Sequence, residues 1–392
     1  MNNIDQTKTE LLEACMERAV AENEVAGATL LLTRGGEEIC YLEKGYASIA
    51  EKRPMARDTI FRCYSMSKVI TATAAVRLMQ DGIIDLYDPV ERYIPEFQDQ
   101  MYETADGERK KVERPMVVRE LLNMTSGLTY GGTASLAERD TDLVINELIG
   151  KLGTDRAMTT MEFAARIGKG TLRFHPGQGW QYGVSADILG AVIEKASGMR
   201  FGEYLKKIIF DPLHMEDTGF FVPKEKKQRM AEVYRCDSGK EPQLFTYDNL
   251  GIRNNGDENP FESGGAGLFS TIDDYSRFCN MLLRGGMTTD GEQILREGAV
   301  RFLTEGAQDG VRKPFDEWLG LEGFSYANLM RVLKEPALNG TIGHMGEYGW
   351  DGWLGTYMNN DPSTGTNLML MLQRVDYGTG NFTRRIKNIV FS

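Results

Sequence analysis

The chain has 392 residues, of which 41% are hydrophobic and 26% are charged, a composition typical of a soluble globular protein with room for a large core and two structural regions. Its formal net charge of −12, without a concentrated run of lysine and arginine, argues against nucleic acid or anionic lipid as a partner. No segment approaches the roughly 18 consecutive apolar residues of a membrane span.

Three elements are predicted near the N-terminus. Residues 5–22 have the pattern of an amphipathic helix, and the polar start before them does not resemble an export signal, so we expect a cytoplasmic protein. Residues 27–48 are predicted to form two strands joined by a turn at Gly35 and Gly36. The helix that follows Ser65 carries few polar residues, so we expect it to be buried on most sides.

Helical patterns dominate the middle of the chain, and strand patterns return near its end. A helix and turn are predicted at 117–128, and helices at 185–198 and 271–286. The late strands are predicted at 354–360 and 367–375, and a closing helix at 381–391. Because strands at both ends enclose helices, we predict an α/β (α+β) fold in which one antiparallel sheet, built from both chain ends and flanked by helices, is interrupted by a mostly helical insertion.

This pattern also suggests how the chain divides into domains. We assign residues 1–80 and 285–392 to the sheet domain and residues 81–284 to the mostly helical domain, with the active site between them. No internal repeat or low-complexity linker interrupts this division.

Neither the cysteines nor the histidines suggest a metal or another cofactor. The five cysteines are odd in number and never spaced C-x-x-C, which predicts neither a disulfide framework nor a zinc site and agrees with a reducing cytoplasm. The three histidines have no second histidine or acidic partner at recognisable ligand spacing. The residues are Cys15, Cys40, Cys63, Cys236 and Cys279, and His175, His214 and His344.

The segment Ser65-Met66-Ser67-Lys68 carries the first candidate chemistry. Residues three apart share one face of a helix, so the lysine amine can reach the serine oxygen and pair a base with a nucleophile. Burial in an apolar helix would lower the pKa of Lys68 and make it a better proton acceptor. The helix N-terminus would also favour an oxyanion beside Ser65. Alternatively, Ser65 is an N-cap and Lys68 a surface residue, because S-x-x-K is common by chance.

Other segments favour the catalytic interpretation. S-x-x-K is the nucleophile motif of β-lactamases and penicillin-binding proteins. Further matching segments follow in order: "RELLNMTSGL", "PGQGWQYGVSADILG", "FDPLHMEDTGFFVP", "GGAGLFSTIDDYSRFCNMLL" and "GWDGWLGTYMNNDP". From about residue 20 to its end, the chain resembles the serine β-lactamase-like superfamily, which has the class C β-lactamase and penicillin-binding-protein fold. Within it, the chain is most similar to the family VIII carboxylesterases.

The resemblance implies a β-lactamase/transpeptidase-like fold and three catalytic residues. Ser65 corresponds to the acyl-accepting nucleophile, Lys68 to its partner, and Tyr182 to the tyrosine whose phenolate or hydroxyl relays a proton between nucleophile and leaving group. A phenol titrates near pH 10, so we expect the charge of Lys68 to lower the pKa of Tyr182. The alternative for Tyr182 is a buried aromatic residue whose hydroxyl is simply satisfied.

Two departures from the class C pattern bear on the substrate. The class C motif is Tyr-x-Asn, whose amide side chain helps to hold an amide substrate, but the third position here is Val184. The family VIII esterases share this departure and have an aspartate several residues after the tyrosine, as at Asp187. The K-T-G strand, whose lysine suits a substrate carboxylate, is also missing. Both departures favour esters over β-lactams and peptides.

The best match to the K-T-G position is Trp350-Asp351-Gly352, similar to the Trp-Gly-Gly of those esterases. His344-Met345-Gly346 is a second possibility, which makes His344 a candidate at the edge of the substrate pocket. By resemblance, the backbone N–H groups of Ser65 and Trp353 would form the oxyanion hole. The alternative for both tryptophans is packing on a sheet face.

The sequence therefore predicts a serine hydrolase that forms an acyl-enzyme with a small or medium ester, without metal or organic cofactor. A β-lactamase or D-alanyl-D-alanine peptidase and an acyltransferase remain alternatives, because they share the acyl-enzyme. A vestigial sensor that binds without catalysis is a third. A Ser-His-Asp hydrolase would need a Gly-x-Ser-x-Gly elbow, which does not occur. The expected partner is a small-molecule ester or amide, and the oligomeric state is left open.

Overall fold

The computed structural model describes residues 5–237, 240–306 and 321–392. Its α-helices, in chain order, are α1 (Gln6–Ala21), α2 (Ser67–Gln80), α3 (Val118–Leu122), α4 (Leu136–Lys151), α5 (Thr160–Ile167), α6 (Ser185–Ser197), α7 (Phe201–Leu205), α8 (Ile272–Leu283), α9 (Glu297–Thr304), α10 (Pro336–Asn339) and α11 (Asn381–Phe391).

The strands, numbered in the same way, are β1 (Gly27–Arg34), β2 (Glu37–Ser48), β3 (Arg53–Pro54), β4 (Phe61–Arg62), β5 (Met101–Glu103), β6 (Arg109–Lys111), β7 (Thr171–Leu172), β8 (Val233–Arg235), β9 (Gln243–Phe245), β10 (Phe269–Ser270), β11 (Phe324–Ala327), β12 (Met330–Leu333), β13 (Tyr348–Asp351), β14 (Tyr357–Asp361) and β15 (Thr366–Leu372).

An antiparallel sheet built from both chain ends dominates the fold, as the sequence predicted. In the described residues it has eight strands in the order β11-β12-β13-β14-β15-β1-β2-β3. The ends of the chain meet where β1 pairs with β15, with Ala28 opposite Leu372 and Arg34 opposite Thr366. The fold class is therefore confirmed, whereas the domain boundaries stay a prediction.

Both faces of the sheet are covered by helices, because successive side chains of a strand point to opposite faces. Leu30 and Leu32 of β1 pack into one core with α1 and α11. Leu31, between them, packs into the larger core on the other face, where α8 contacts β1 and β15. No helix of the described chain is long and apolar enough to cross a membrane.

Helix α2 lies inside the larger core, where it contacts α6 and α9. Eleven of its fourteen residues are buried, which confirms the prediction of a helix buried on most sides. The hairpin of β1 and β2 is also confirmed, since Gly35 and Gly36 both adopt the positive φ that glycine tolerates best.

The helix and turn predicted at 117–128 are confirmed: α3 ends at Leu122, the chain leaves the helical conformation at Met124, which has φ 56°, and it turns at Gly127. Two features differ from the predictions. The hairpin of β11 and β12 was not predicted. Helix α2 begins at Ser67, so Ser65 lies in a 3-10 turn, Tyr64–Met66, that leads into the helix.

Candidate active site

The turn before α2 presents Ser65 to a cavity. Tyr64 has φ 44°, a conformation that a bulky residue adopts at a cost of about 1 to 3 kcal/mol unless its surroundings hold it. Here Cys63 anchors the turn: its N–H donates to the Leu268 carbonyl at 2.8 Å, and its carbonyl accepts from the Met66 N–H at 3.2 Å. The fixed turn aims the serine side chain away from the core.

Lys68 lies one turn further on and is completely buried. Its Nζ donates to Ser65 Oγ at 3.1 Å, to the Gly265 carbonyl at 2.7 Å and to the Tyr130 hydroxyl at 3.2 Å. In its protonated form the lysine therefore uses its three donors inside the protein, one of them on the serine.

The surroundings of Lys68 make its amine a base near neutral pH. Burial lowers the pKa of Lys68 to about 8, while the negative charges of Asp187 and Asp351 oppose this shift. The direction agrees with the prediction from the sequence. A neutral amine in contact with a serine hydroxyl can accept its proton.

Asp187 of α6 positions the carbonyl that Lys68 contacts. Its Oδ1 accepts from the Gly265 N–H at 3.1 Å, which fixes the peptide next to the Lys68 amine. This loop packs so tightly on α6 that a Cβ on Gly264 would come within 2.3 Å of the Ala186 carbonyl oxygen. Larger residues are therefore excluded from this loop, and the aspartate acts on Lys68 through a rigid connection.

Tyr182 lies on the other side of Ser65, in front of β13. Its hydroxyl accepts a hydrogen bond from Trp350 Nε1 at 3.0 Å, and the Lys68 Nζ is 4.8 Å from the centre of its ring. The ring also stacks on Trp180, with centroids 6.0 Å apart. The tyrosine is thus held by aromatic neighbours with its hydroxyl towards the serine.

The pKa of Tyr182 is shifted upward and not downward as expected. Burial raises the pKa of Tyr182 well above its usual value near 10, although hydrogen bonds to its oxygen oppose the shift. The nearby charges of Asp351 and Asp187 raise the pKa further, so the expected lowering by Lys68 does not occur. Tyr182 is therefore a neutral phenol, suited to donate a proton and not to act as a resting phenolate.

Sequence analysis missed Tyr130, which contacts Lys68 directly. Its ring lies edge-on to Tyr182, with centroids 5.7 Å apart. The two loops approach so closely that a Cβ on Gly183 would lie 2.3 Å from the Leu128 carbonyl oxygen. A tyrosine in the glycine-rich stretch after α3 was a possible signal, but its distance of 62 positions from Lys68 hides the contact.

The end of β13 meets the serine turn. Gly352 fits there because it lacks a side chain: a Cβ would come within 2.3 Å of the Cys63 carbonyl oxygen. Thr356 Oγ1 donates to the same carbonyl at 3.0 Å and so ties the strand to the turn. In the described part of the chain, the Trp353 N–H donates no hydrogen bond, so it is available to a ligand.

Sequence analysis also missed Arg331, a buried residue of β12 that lines the cavity. Its Nη1 donates to Asp351 Oδ2 at 2.7 Å, and Thr379 Oγ1 donates to the same oxygen. Burial disfavours the charged guanidinium, but Asp351 and Tyr357 together outweigh this and raise the pKa of Arg331. No sequence spacing signals this contact, because β12 and β13 become neighbours only in the sheet.

A cavity of about 650 Å³ opens in front of Ser65 and is mostly apolar. The structure brings Ser65, Tyr182, Trp350, Asp351 and Trp353 together in its lining. The other described lining residues are Tyr64, Tyr130, Asn249, Leu250, Leu321, Arg331, Asp376, Tyr377, Gly378 and Thr379. Lys68 reaches Ser65 from behind this lining, inside α2.

The placement of His344 at the edge of this pocket is wrong. His344 lies beyond the other end of β13, where its Nδ1 is 2.8 Å from Asp361 Oδ2 and its ring contacts Phe391 of α11. Glu347 completes a histidine-carboxylate group that could in principle hold a metal ion, but its carboxylate already pairs with Lys387 at 2.7 Å. The sheet register puts Trp350 of β13, and not His344, next to Tyr182.

The antiparallel sheet and the buried Ser-x-x-Lys helix define a protein of the β-lactamase fold. A family model described as Beta-lactamase matches residues 12–388. Esterase EstB of Burkholderia gladioli is 30% identical, over 97% of this chain and 94% of its own. The chain belongs to the beta-lactamase family and is a serine hydrolase.

Two further similar proteins are described as having acyl-transfer activity. The ML-236A carboxylate methylbutanoyltransferase mlcH of Penicillium citrinum is 27% identical, over 76% of this chain and 70% of its own. The structure of EstCE1, described as a hydrolase with promiscuous acyltransferase activity, superposes with a TM-score of 0.83 at 24% identity, covering 99% of each chain. This likeness supports the fold.

The lowered pKa of Lys68 leads to a pH prediction. If the neutral amine accepts the Ser65 proton, covalent labelling by a fluorophosphonate should be slow while Lys68 is protonated, rise through a pKa of about 8 and level off above it. The rate constant of labelling, measured between about pH 6 and 10, tests this.

Lys68→Met is the control, because methionine fills similar space without a titrating group. We expect much slower labelling and loss of the inflection. An unchanged inflection in Lys68→Met would assign it to another group and contradict the role of Lys68.

Proposed function

We propose that the protein is a carboxylesterase for small or medium esters that forms an acyl-enzyme on Ser65. The observation that carries this proposal is the contact of 3.1 Å between Lys68 Nζ and Ser65 Oγ, made by a completely buried lysine beside an open, mostly apolar cavity. A nucleophile next to a base of lowered pKa is the arrangement that covalent catalysis needs.

The first half of the reaction uses Lys68 as the base. As Ser65 Oγ attacks the ester carbonyl carbon, its proton passes to the neutral Lys68 amine. The N–H groups of Ser65 and Trp353 bind the developing oxyanion, a contribution of roughly 3 kcal/mol per donor. That role for Trp353 is supported by its free N–H and by the close fit of Gly352 against the serine turn.

The second half uses Tyr182 as the acid. Its neutral phenol donates a proton to the leaving alkoxide, and the Lys68 ammonium returns a proton to the phenolate. Water then attacks the acyl-enzyme, and the same groups work in reverse, releasing the acid and restoring Ser65. The raised pKa of Tyr182 supports this role, because it keeps the phenol protonated at rest.

Val184 supports an ester over an amide. It caps α6 two residues after Tyr182, and its apolar side chain is buried, so it offers no amide group to hold a substrate amide. The description of EstB as an esterase and of EstCE1 as a hydrolase also supports an esterase.

Acyl transfer to an alcohol other than water is the second candidate. It shares the acyl-enzyme and is favoured by the resemblance to mlcH and by the acyltransferase activity described for EstCE1. The cytoplasmic location also remains part of the proposal, and the five buried, free thiols agree with it.

We expect Ser65→Ala to abolish both turnover and covalent labelling while the protein stays folded, because no other group replaces the nucleophile. Intact-mass analysis after incubation with an activated ester and with a fluorophosphonate measures the adduct. Ser67→Ala is the matched control for labelling, since it removes a hydroxyl two positions away, at the start of α2. An adduct on Ser65→Ala would place the nucleophile elsewhere, and an unlabelled wild type would favour a vestigial sensor.

We expect Lys68 and Tyr182 to act as a unit. Lys68→Met and Tyr182→Phe should each remove most of kcat, and the double variant should lose little more, because both residues serve one proton path. Steady-state kinetics on an aryl ester for the four proteins measures this. Losses that multiply in the double variant would contradict a shared path.

Esters should be far better substrates than β-lactams. A β-lactam presents an amide and a carboxylate, but Val184 cannot hold the amide, and the cation among the described lining residues, Arg331, is already paired with Asp351. Each missing contact costs on the order of 1 to 3 kcal/mol, so both together would lower kcat/KM by about 10² to 10⁴. Assays of p-nitrophenyl butyrate and a chromogenic cephalosporin on one preparation compare them. Faster turnover of the cephalosporin would favour a β-lactamase or D-alanyl peptidase.

A further inference from the structure

The catalytic cavity contains a buried cation that the proposed reaction does not use. Arg331 lies 2% exposed in the lining, on the strand next to Trp350. Its guanidinium carbon is 5.5 Å from the Trp350 ring centre and 5.1 Å from that of Tyr357. These aromatic neighbours hold the guanidinium in one orientation.

Arg331 can act on a substrate through its charge. Nη1 donates to Asp351, and Nη2 is buried, so neither nitrogen is an open donor in the cavity wall. The electrostatic effect of the guanidinium on a substrate therefore depends on the charge of its partner.

Asp351 neutralises the charge that Arg331 presents to the cavity. Its carboxylate lies within 2.7 Å of the Arg331 guanidinium, so the pair is neutral as seen from the cavity. The remaining described charge in the lining, Asp376, is acidic. A carboxylate entering the cavity would thus meet a neutralised arginine and no unpaired cation among the described lining residues, whereas an uncharged ester needs no such cation.

We propose that Arg331 and Asp351 set the charge selectivity of the cavity: Asp351 masks the Arg331 guanidinium, so the enzyme selects uncharged esters over esters that carry a carboxylate. This inference rests on the proposed esterase function. It also means that loss of the Asp351 charge would convert the same wall into a carboxylate site.

Two pairs of substrates test the proposal, one for each side of the scissile bond. The first pair is 4-(butanoyloxy)benzoate and its methyl ester, which differ in charge on the alcohol side. The second is the mono-4-nitrophenyl ester of octanedioic acid and its methyl ester, which differ on the acyl side. For each pair, the ratio of kcat/KM for the acid to that for the methyl ester is compared between variants, so intrinsic reactivity cancels.

Wild-type enzyme should prefer the methyl ester in both pairs. Asp351→Asn should raise the acid-to-ester ratio by about tenfold or more in at least one pair, as expected for a hydrogen bond to a newly unpaired charge. The double variant Arg331→Met/Asp351→Asn should lose that gain. An unchanged ratio in both pairs, or a gain that survives in the double variant, would overturn the proposal.

Asp376→Asn is the matched control. It also removes one negative charge from the lining, but its carboxylate contacts Trp353 and Arg235 instead of Arg331. Its effect on the ratio should be clearly smaller than that of Asp351→Asn. Equal effects would mean that net charge, and not the masking of Arg331, sets the selectivity, which contradicts the proposal.

The wild-type measurement keeps the test decisive if Asp351→Asn does not fold, as the loss of a partner from a buried ion pair can cause. A wild-type preference for the acid in either pair overturns the proposal without any variant. If wild type hydrolyses none of the four esters and Ser65 is not acylated, the esterase proposal itself fails. If the esters react but the acids are preferred, the charge selectivity alone is wrong.

Discussion

The site depends on the burial of one amine, that of Lys68. An ammonium group inside an apolar core is costly unless hydrogen bonds and charges compensate it. Here three oxygens from separate parts of the chain, those of Ser65, Tyr130 and Gly265, converge on the amine. The compensation is incomplete, which leaves the pKa of Lys68 near 8 and the amine available as a base.

Burial shifts the pKa values of Lys68 and Tyr182 in opposite directions, because it disfavours the charged form of each group. It lowers the pKa of Lys68 but raises that of Tyr182, so the neutral forms of both are favoured together. Because the two environments shift these pKa values in opposite directions, one group can accept a proton and the other can donate one near neutral pH. Asp187 supports the arrangement at a distance, through the Gly265 peptide, without touching the serine. In the cavity wall, Arg331 and Asp351 form an ion pair whose two charges cancel.

The fold was largely predictable because hydrophobic periodicity reports local structure. The pattern at 381–391 coincides with α11, and the hairpin at 27–48 has its turn at the two glycines. The segment 117–128 divides into α3 and a turn, as predicted, because Met124 and Gly127 adopt positive φ. Residues 324–333, the missed hairpin, form two strands of four residues, too short for alternation to distinguish them from loop.

The sequence by itself determined that the side chains of Ser65 and Lys68 lie next to each other, because a spacing of three residues brings them together in any helical turn. Resemblance to a family pointed to Tyr182 and Trp350 as companions of the serine. The tertiary structure alone decided the rest: which side chains surround the amine, why Tyr182 is a neutral phenol and that Arg331 lines the cavity. These contacts join residues tens to hundreds of positions apart, and charge, burial and hydrogen bonding at such distances depend on packing that no local pattern encodes.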